Sequence, residues 1–293
     1  MSHAGTPHRG NIAEYVREIT FVNALCQVQT VSDPNLLRSA SGAFGAFGVI
    51  VSMVFRLEKF SYVTLRPRQQ SCLTIVPPLD DSYVPMSMME SYRKIGQGEM
   101  KKALEVFEKE AIECYNRTIY WFPFEEMGWV NGFYLDGKDS QWSPMERTKW
   151  DIGPQLQAEI DKAADEHRWK DTCTVLSNKF QEVRQEVDGI KVVSLPEALQ
   201  NPWVHPHVPV TDLSIGIPIE FNETTGKFDF TIVRKAFWDM INIAHKHEEE
   251  GACNHVVHLR LVGESNNTTL APHRGNKLTC VLDTHSIVVK NRR

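Results

Sequence analysis

His258 and Arg260 are the residues of this sequence best suited to chemistry on a hydroxyl group. They stand two apart in Val257-His258-Leu259-Arg260-Leu261, an alternating run that reads as a strand. Both therefore project from one sheet face, while the three apolar residues point to the other. An imidazole titrates near neutrality and can take a hydroxyl proton, and a guanidinium beside it can polarise the oxygen. The solvated face of an antiparallel sheet gives the same pattern, so the local reading leaves both open. A second feature is Gly42-x-x-Gly45-x-x-Gly48. It lies between an expected helix and an expected strand, the reverse of the strand-turn-helix order of a Rossmann fingerprint. Glycines so placed either let a backbone approach a cofactor or make a tight turn for close packing. Walker A, G-x-S-x-G and HExxH patterns are absent.

Eleven histidines raise the question of a metal. The close pairs are His205/His207 and His245/His247. Residues two apart on a helix do not share a face, and no third ligand falls at a suitable spacing, so no metal is expected. Cys26, Cys72, Cys114, Cys173, Cys253 and Cys280 are scattered without a CxxC pair, which argues against a disulfide framework or a zinc site. Tyr120-Trp121-Phe122-Pro123-Phe124 either lines an apolar pocket or belongs to the core.

The elements that must position these groups follow from periodicity. Ile19 to Val22 is strand-like. A helix starts near Pro34, with Asp33 as its cap. After the glycines, Val49, Val51, Met53, Phe55 and Leu57 alternate as one face of a buried strand. Pro67, Pro77, Pro78 and Pro85 mark a linker-like stretch. Met89 to Tyr115 is helical, with Met100, Leu104, Phe107, Ala111 and Tyr115 on one stripe. A polar helical stretch spans Gln155 to Val187. Leu213, Ile215, Ile217 and Ile219 alternate as a strand, Phe230 to Lys246 forms the clearest helix, and Val256–Val262 and Leu278–Asp283 read as strands. Strands and helices without regular βαβ alternation give an α+β fold.

The chain has 293 residues, 42% hydrophobic and 24% charged, with a net charge of −5. That is globular composition, large enough for two domains, and not the basic balance of a nucleic-acid or anionic-membrane binder. No apolar run approaches the roughly 20 residues of a membrane-spanning helix. The first ten residues lack the apolar core of a secretory signal, so a cytoplasmic location is expected. On that reading the sequons at Asn116, Asn222, Asn266 and Asn267 arise by chance.

Two sets of residues carry a family resemblance. Gly10-Asn11-Ile12-Ala13-Glu14-Tyr15-Val16 through Thr30-Val31-Ser32-Asp33-Pro34, with the glycine run into Val49-Ile50 and Phe55-Arg56-Leu57, resembles the end of the PCMH-type FAD-binding domain of vanillyl-alcohol-oxidase-type flavoproteins. Tyr120–Phe124 with Trp129-Val130-Asn131 is similar to the substrate domain of sugar-lactone oxidases of the D-arabinono-1,4-lactone oxidase type and the related flavin cholesterol oxidases. So are Lys227-Phe228-Asp229-Phe230 before Phe237-Trp238, and Val257–Arg260 with Thr269-Leu270-Ala271-Pro272.

The resemblance implies a remnant of the FAD-binding domain over residues 1–58. An antiparallel-sheet substrate domain flanked by helices follows over 59–293, incomplete at its C-terminus. FAD would lie between them, taking hydride from a hydroxyl-bearing carbon and passing electrons to O2 or another acceptor. It assigns flavin contacts to His3, Gly5, Thr6, Gly45, Gly48, Val49 and Ile50, and a substrate-side role to Arg260. His258 falls where many relatives carry Glu. The family's N-terminal lobe and closing segment have no counterpart here, which implies a truncated form that holds FAD weakly or not at all. The expected function is an FAD-dependent oxidoreductase acting on a CH–OH group of a small molecule: a sugar lactone, a polyol or a sterol. A non-catalytic binding module derived from the substrate domain, or an incomplete gene model, are the other readings.

Overall fold

The computed structural model describes residues 5–43, 45–144, 154–185, 189–199, 210–251, 253, 255–266 and 274–287. His3, His205, His207 and Thr269–Pro272 lie outside them. The elements begin with β1 (Gly5–Thr6), β2 (Arg9–Asn11), β3 (Val16–Val22), β4 (Val28–Val31), α1 (Pro34–Ala40), β5 (Val49–Phe55), β6 (Tyr62–Ser71), α2 (Cys72–Ile75) and α3 (Met89–Glu113). Then come β7 (Asn116–Trp121), β8 (Met127–Tyr134), α4 (Pro154–Asp165), α5 (Trp169–Gln185), β9 (Lys191–Ser194) and α6 (Leu195–Leu199). The chain continues through β10 (Val210–Pro218), β11 (Glu220–Asn222), β12 (Lys227–Asp229), α7 (Thr231–Lys246), β13 (Val257–Gly263) and β14 (Leu278–Ile287). Two compact units divide it: Met1–Phe60, Gly216–Asp229 and Leu261–Val281 form the first, and the remainder forms the second. No helix of the described residues is long and apolar enough to cross a membrane.

In the first unit, β4, β3 and β5 make an antiparallel sheet in that order. The expected cap is present: Asp33 Oδ1 accepts from the amides of Asn35 and Leu36 at 3.0 Å, and Pro34 opens α1. Leu37 of α1 packs with Val16, Ile19 and Phe21 of β3. β5 corrects the sequence reading. The strand forms, but all seven residues are exposed, Val49 at 71%. Its alternation is also interrupted, because Thr20 opposes Ser52 while Phe21 opposes Ile50, leaving Val51 as an extra residue that switches faces.

The second unit carries most of a seven-stranded sheet, ordered β10-β14-β13-β7-β8-β6-β9. The expected linker around Pro67 is instead β6. β9 pairs with Tyr62–Leu65, so among the described residues that edge has no partner strand at Pro67 and a residue lacking an N–H is tolerated. Pro77 and Pro78 are also anchored: their carbonyl oxygens accept from Arg234 Nε and Nη2 of α7, each at 2.7 Å. Trp238, wholly buried, donates its indole N–H to Val76 O at 2.7 Å. The expected stripe on α7 is buried at Val233, Phe237, Ile241 and Ala244. α3 is broken at Gly96 (φ 73°), and the expected polar helix is two helices, α4 and α5, separated near His167 (φ 56°). Leu213 and Ile215 of β10, the sheet's edge strand, are exposed, as are Asp212 and Ser214 between and beside them.

Candidate functional site

β13 buries Val257 and Leu259 on one face and leaves His258 and Arg260 half-buried on the other. Register carries that second face across the sheet. His258 opposes Tyr120, which opposes Trp129, which opposes Gln69. Arg260 opposes Thr118, which opposes Asn131, which opposes Pro67. Beyond β13 lie β14 and β10; Asp283 of β14 meets Arg260 and Ser214, and His285 of β14 meets His258 and Asp212.

The Arg260 row holds a charge pair with both carboxylate oxygens engaged. Arg260 Nε and Nη2 donate to Asp283 Oδ2 at 2.8 and 2.5 Å, and Ser214 Oγ donates to Asp283 Oδ1 at 2.6 Å. The Asp283 side chain is 2% exposed and that of Arg260 25%. The His258 row holds a contact of imidazoles. His258 Nδ1 and His285 Nε2 lie 3.4 Å apart, so one must donate and the other accept. Asp212 Oδ1 lies 3.7 Å from His285 Nδ1. The edge of one ring meets the face of the other between His258 and Tyr120, with centroids 4.7 Å apart. Phe180 of α5 packs on Tyr120 and Trp129, and Gln181 donates to Gln69 Oε1 at 2.9 Å. The buried Trp129 indole N–H has no hydrogen-bond partner among the described residues.

This face combines an imidazole, a cation with its counter-charge in place and an aromatic wall. Such a set can orient a hydroxyl and accept its proton. Among the described residues no group of three His, Cys, Asp or Glu side chains could hold a metal ion. The sequence reading named His258 and Arg260 but missed Asp283, His285, Ser214 and Asp212. The signal was there: Asp212-x-Ser214 and Asp283-x-His285 repeat the two-apart polar spacing of His258-x-Arg260.

The residues that the resemblance assigns to flavin belong to the first unit. Gly5 and Thr6 form β1, paired with β2. Thr6 is buried, and its hydroxyl has no hydrogen-bond partner among the described residues. A Cβ at Gly263 would meet Pro7 O at 2.5 Å, and one at Gly10 would meet Glu264 O at 2.4 Å, so the β1–β2 hairpin packs backbone to backbone on residues 263–264. Glu14 Oε1 fastens the next turn, accepting from Ser265 Oγ at 2.8 Å and the Asn266 amide at 2.6 Å. Gly48 (φ +129°) has an internal cause: a Cβ there would lie 2.0 Å from Val22 O. Gly45 (φ +82°) faces open space, and Val49 and Ile50 are exposed.

No protein-family model matches the sequence, and a search of curated proteins returns no match. Solved structures do match. A solvent-stable cholesterol oxidase superposes with a TM-score of 0.66 at 11% identity, over 96% of this chain and 53% of that one. A cholesterol oxidase from Brevibacterium sterolicum superposes with a TM-score of 0.60 at 13% identity, over 95% of this chain and 52% of that one. The chain thus spans about half the length of these proteins, and over that half its fold is that of a cholesterol oxidase.

Proposed function

We propose that the chain is the substrate-side part of an FAD-dependent oxidoreductase acting on the CH–OH group of a small molecule, with a sugar lactone, a polyol or a sterol as its class of substrate. Residues 1–58 are then the C-terminal part of the FAD-binding domain and 59–293 the substrate domain. The observation that carries this reading is the placement of His258 and Arg260 side by side on a sheet face walled by Tyr120 and Trp129. The fold shared with cholesterol oxidases agrees with it.

On this reading Arg260 holds the substrate oxygen and His258 takes the hydroxyl proton. His285 steadies the imidazolium that forms. FAD, when bound, supplies the hydride acceptor. Two features of the first unit fit the flavin ring end: the buried Thr6 hydroxyl, unanswered among the described residues, and the exposed apolar side chains of Val49 and Ile50. Gly48 says nothing about a cofactor, since Val22 alone requires it.

The test is the visible spectrum of the purified chain after incubation with FAD and removal of free cofactor. Retained flavin bands that bleach on adding a sugar lactone, alditol or sterol support the reading, and their loss in His258→Ala assigns the base. A folded, colourless protein that binds none of these compounds defeats it. Binding without turnover would favour the non-catalytic module, a reading to which the exposed apolar strand β5 also lends weight.

A further inference from the structure

We infer that Asp283 makes this sheet face selective for neutral hydroxyl compounds and closes it to their carboxylate counterparts. The inference rests on the proposed role of the face as the substrate surface and names the charge class that it admits. An arginine in a substrate site ordinarily invites an anion, because its fork matches a carboxylate in two hydrogen bonds. Here one edge of that fork is taken from within, and its charge is already answered. Nε and Nη2 of Arg260 both serve Asp283 Oδ2, and Ser214 holds the other oxygen. Asp283 is almost wholly buried while a quarter of the Arg260 side chain is exposed, so a ligand reaching the guanidinium meets a dipolar pair in place of a bare cation.

The other charged and titratable groups around the pair add nothing to attract an anion. His258 and His285 contact each other and, when neutral, carry no charge, and Asp212 beside His285 adds a negative one. Thr118 and Asn131, next in the Arg260 row, are neutral, as are Tyr120 and Trp129 in the adjoining one. An incoming carboxylate would lose its water and meet a like charge in Asp283 within one guanidinium's width. A hydroxyl can use the pair as donor and acceptor at once.

The probes are sodium lactate and propane-1,2-diol, which share a CH3–CH(OH)– unit and differ in carboxylate against CH2OH. Each is titrated into 15N-labelled chain at constant ionic strength. The Arg260 Nε–Hε resonance, assigned by its loss in Arg260→Lys, is followed. In the natural chain the diol should move it at lower concentration than lactate. In Asp283→Asn, which keeps the shape and removes the charge, lactate affinity should rise by at least about tenfold, as expected for one uncompensated cation at a half-buried site. Ser214→Ala, which keeps the charge, should still refuse lactate.

Lactate moving the signal as readily as the diol in the natural chain overturns the inference, and that arm needs no folded variant. So does an Asp283→Asn chain that folds and gains no lactate affinity. If Asp283→Asn gains lactate while the natural chain binds neither probe, the charge selectivity stands and the oxidase reading is what fails.

Discussion

The polar face around Asp283 and the strand β5 invert each other. On the first, groups that water would ordinarily solvate are drawn into the sheet and answered by one another: Arg260 by Asp283, Asp283 also by Ser214, His258 by His285. On the second, Val49, Ile50, Val51, Met53, Val54 and Phe55, which would ordinarily be drawn in, are left facing solvent. Composition alone would have placed them the other way round. What separates them is whether the chain folds a complementary surface over the residues in question. β14 does so for Arg260, and among the described residues no strand pairs with the outer edge of β5.

The contrast can be broken at its strongest point first. Asp283→Ala leaves Arg260 with no carboxylate and should cost about 4 kcal/mol, the order for removing one partner of a buried pair. The double replacement Arg260→Met with Asp283→Leu should cost less than half of that in urea denaturation. If the double variant is the less stable of the two, the pair is a net source of stability and the polar face is more than a matter of selectivity. Next comes Gly48→Ala, which forces a Cβ against Val22 O and should cost about 3 kcal/mol, whereas Gly45→Ala, facing open space at positive φ, should cost about 1 kcal/mol. Equal losses would mean that backbone conformation alone, and not the approach of β3, sets the turn.

Val54→Lys sharpens the other side. On an exposed strand it should change stability by no more than about 0.5 kcal/mol while lowering light scattering at high concentration. A large loss of stability would show that β5 is covered in solution.

The smallest effect is one of pH. Burial holds the His245 imidazole below its ordinary value of 6.5, with Lys170 pushing the same way and Glu248 opposing. It is packed edge-on against the Phe124 ring. A depressed imidazole favours the neutral folded form. Its contribution is therefore intact above pH 6.5 and is lost as the pH falls through the lowered value. Melting temperatures should decline over that window in the natural chain, and less so in His245→Phe.

Much of this was legible in the sequence where the cause is local. Asp33 and Pro34 announce α1 because capping is settled within four residues. The stripe on α7 announces itself because helical period and burial coincide. His258 and Arg260 could be placed on one face because a strand alternates whatever its neighbours are. What could not be read is what each meets. Asp283 lies 23 residues from Arg260 and reaches it only because β14 pairs beside β13. Pro67 looked like a linker because its tolerance depends on where β9 stops, and β5 looked buried because exposure depends on what the rest of the fold covers.

The hold of Arg234 on Pro77 and Pro78 bears on how the second unit comes together in time. Those bonds join residues 157 and 156 apart in sequence, and Trp238 to Val76 closes a similar span at 162. The loop entropy of such a span is met before any of its bonds can form, and topologies dominated by distant contacts are slow to find their native state. During synthesis, α2 and the segment after it leave the ribosome long before α7 exists to hold them. Until then Val76 and Ile75, fully buried at the end, are open to the wrong partners. The second unit should thus refold as a late event triggered by the arrival of α7, and a chain ending before Thr231 should be the form of this protein most prone to aggregate.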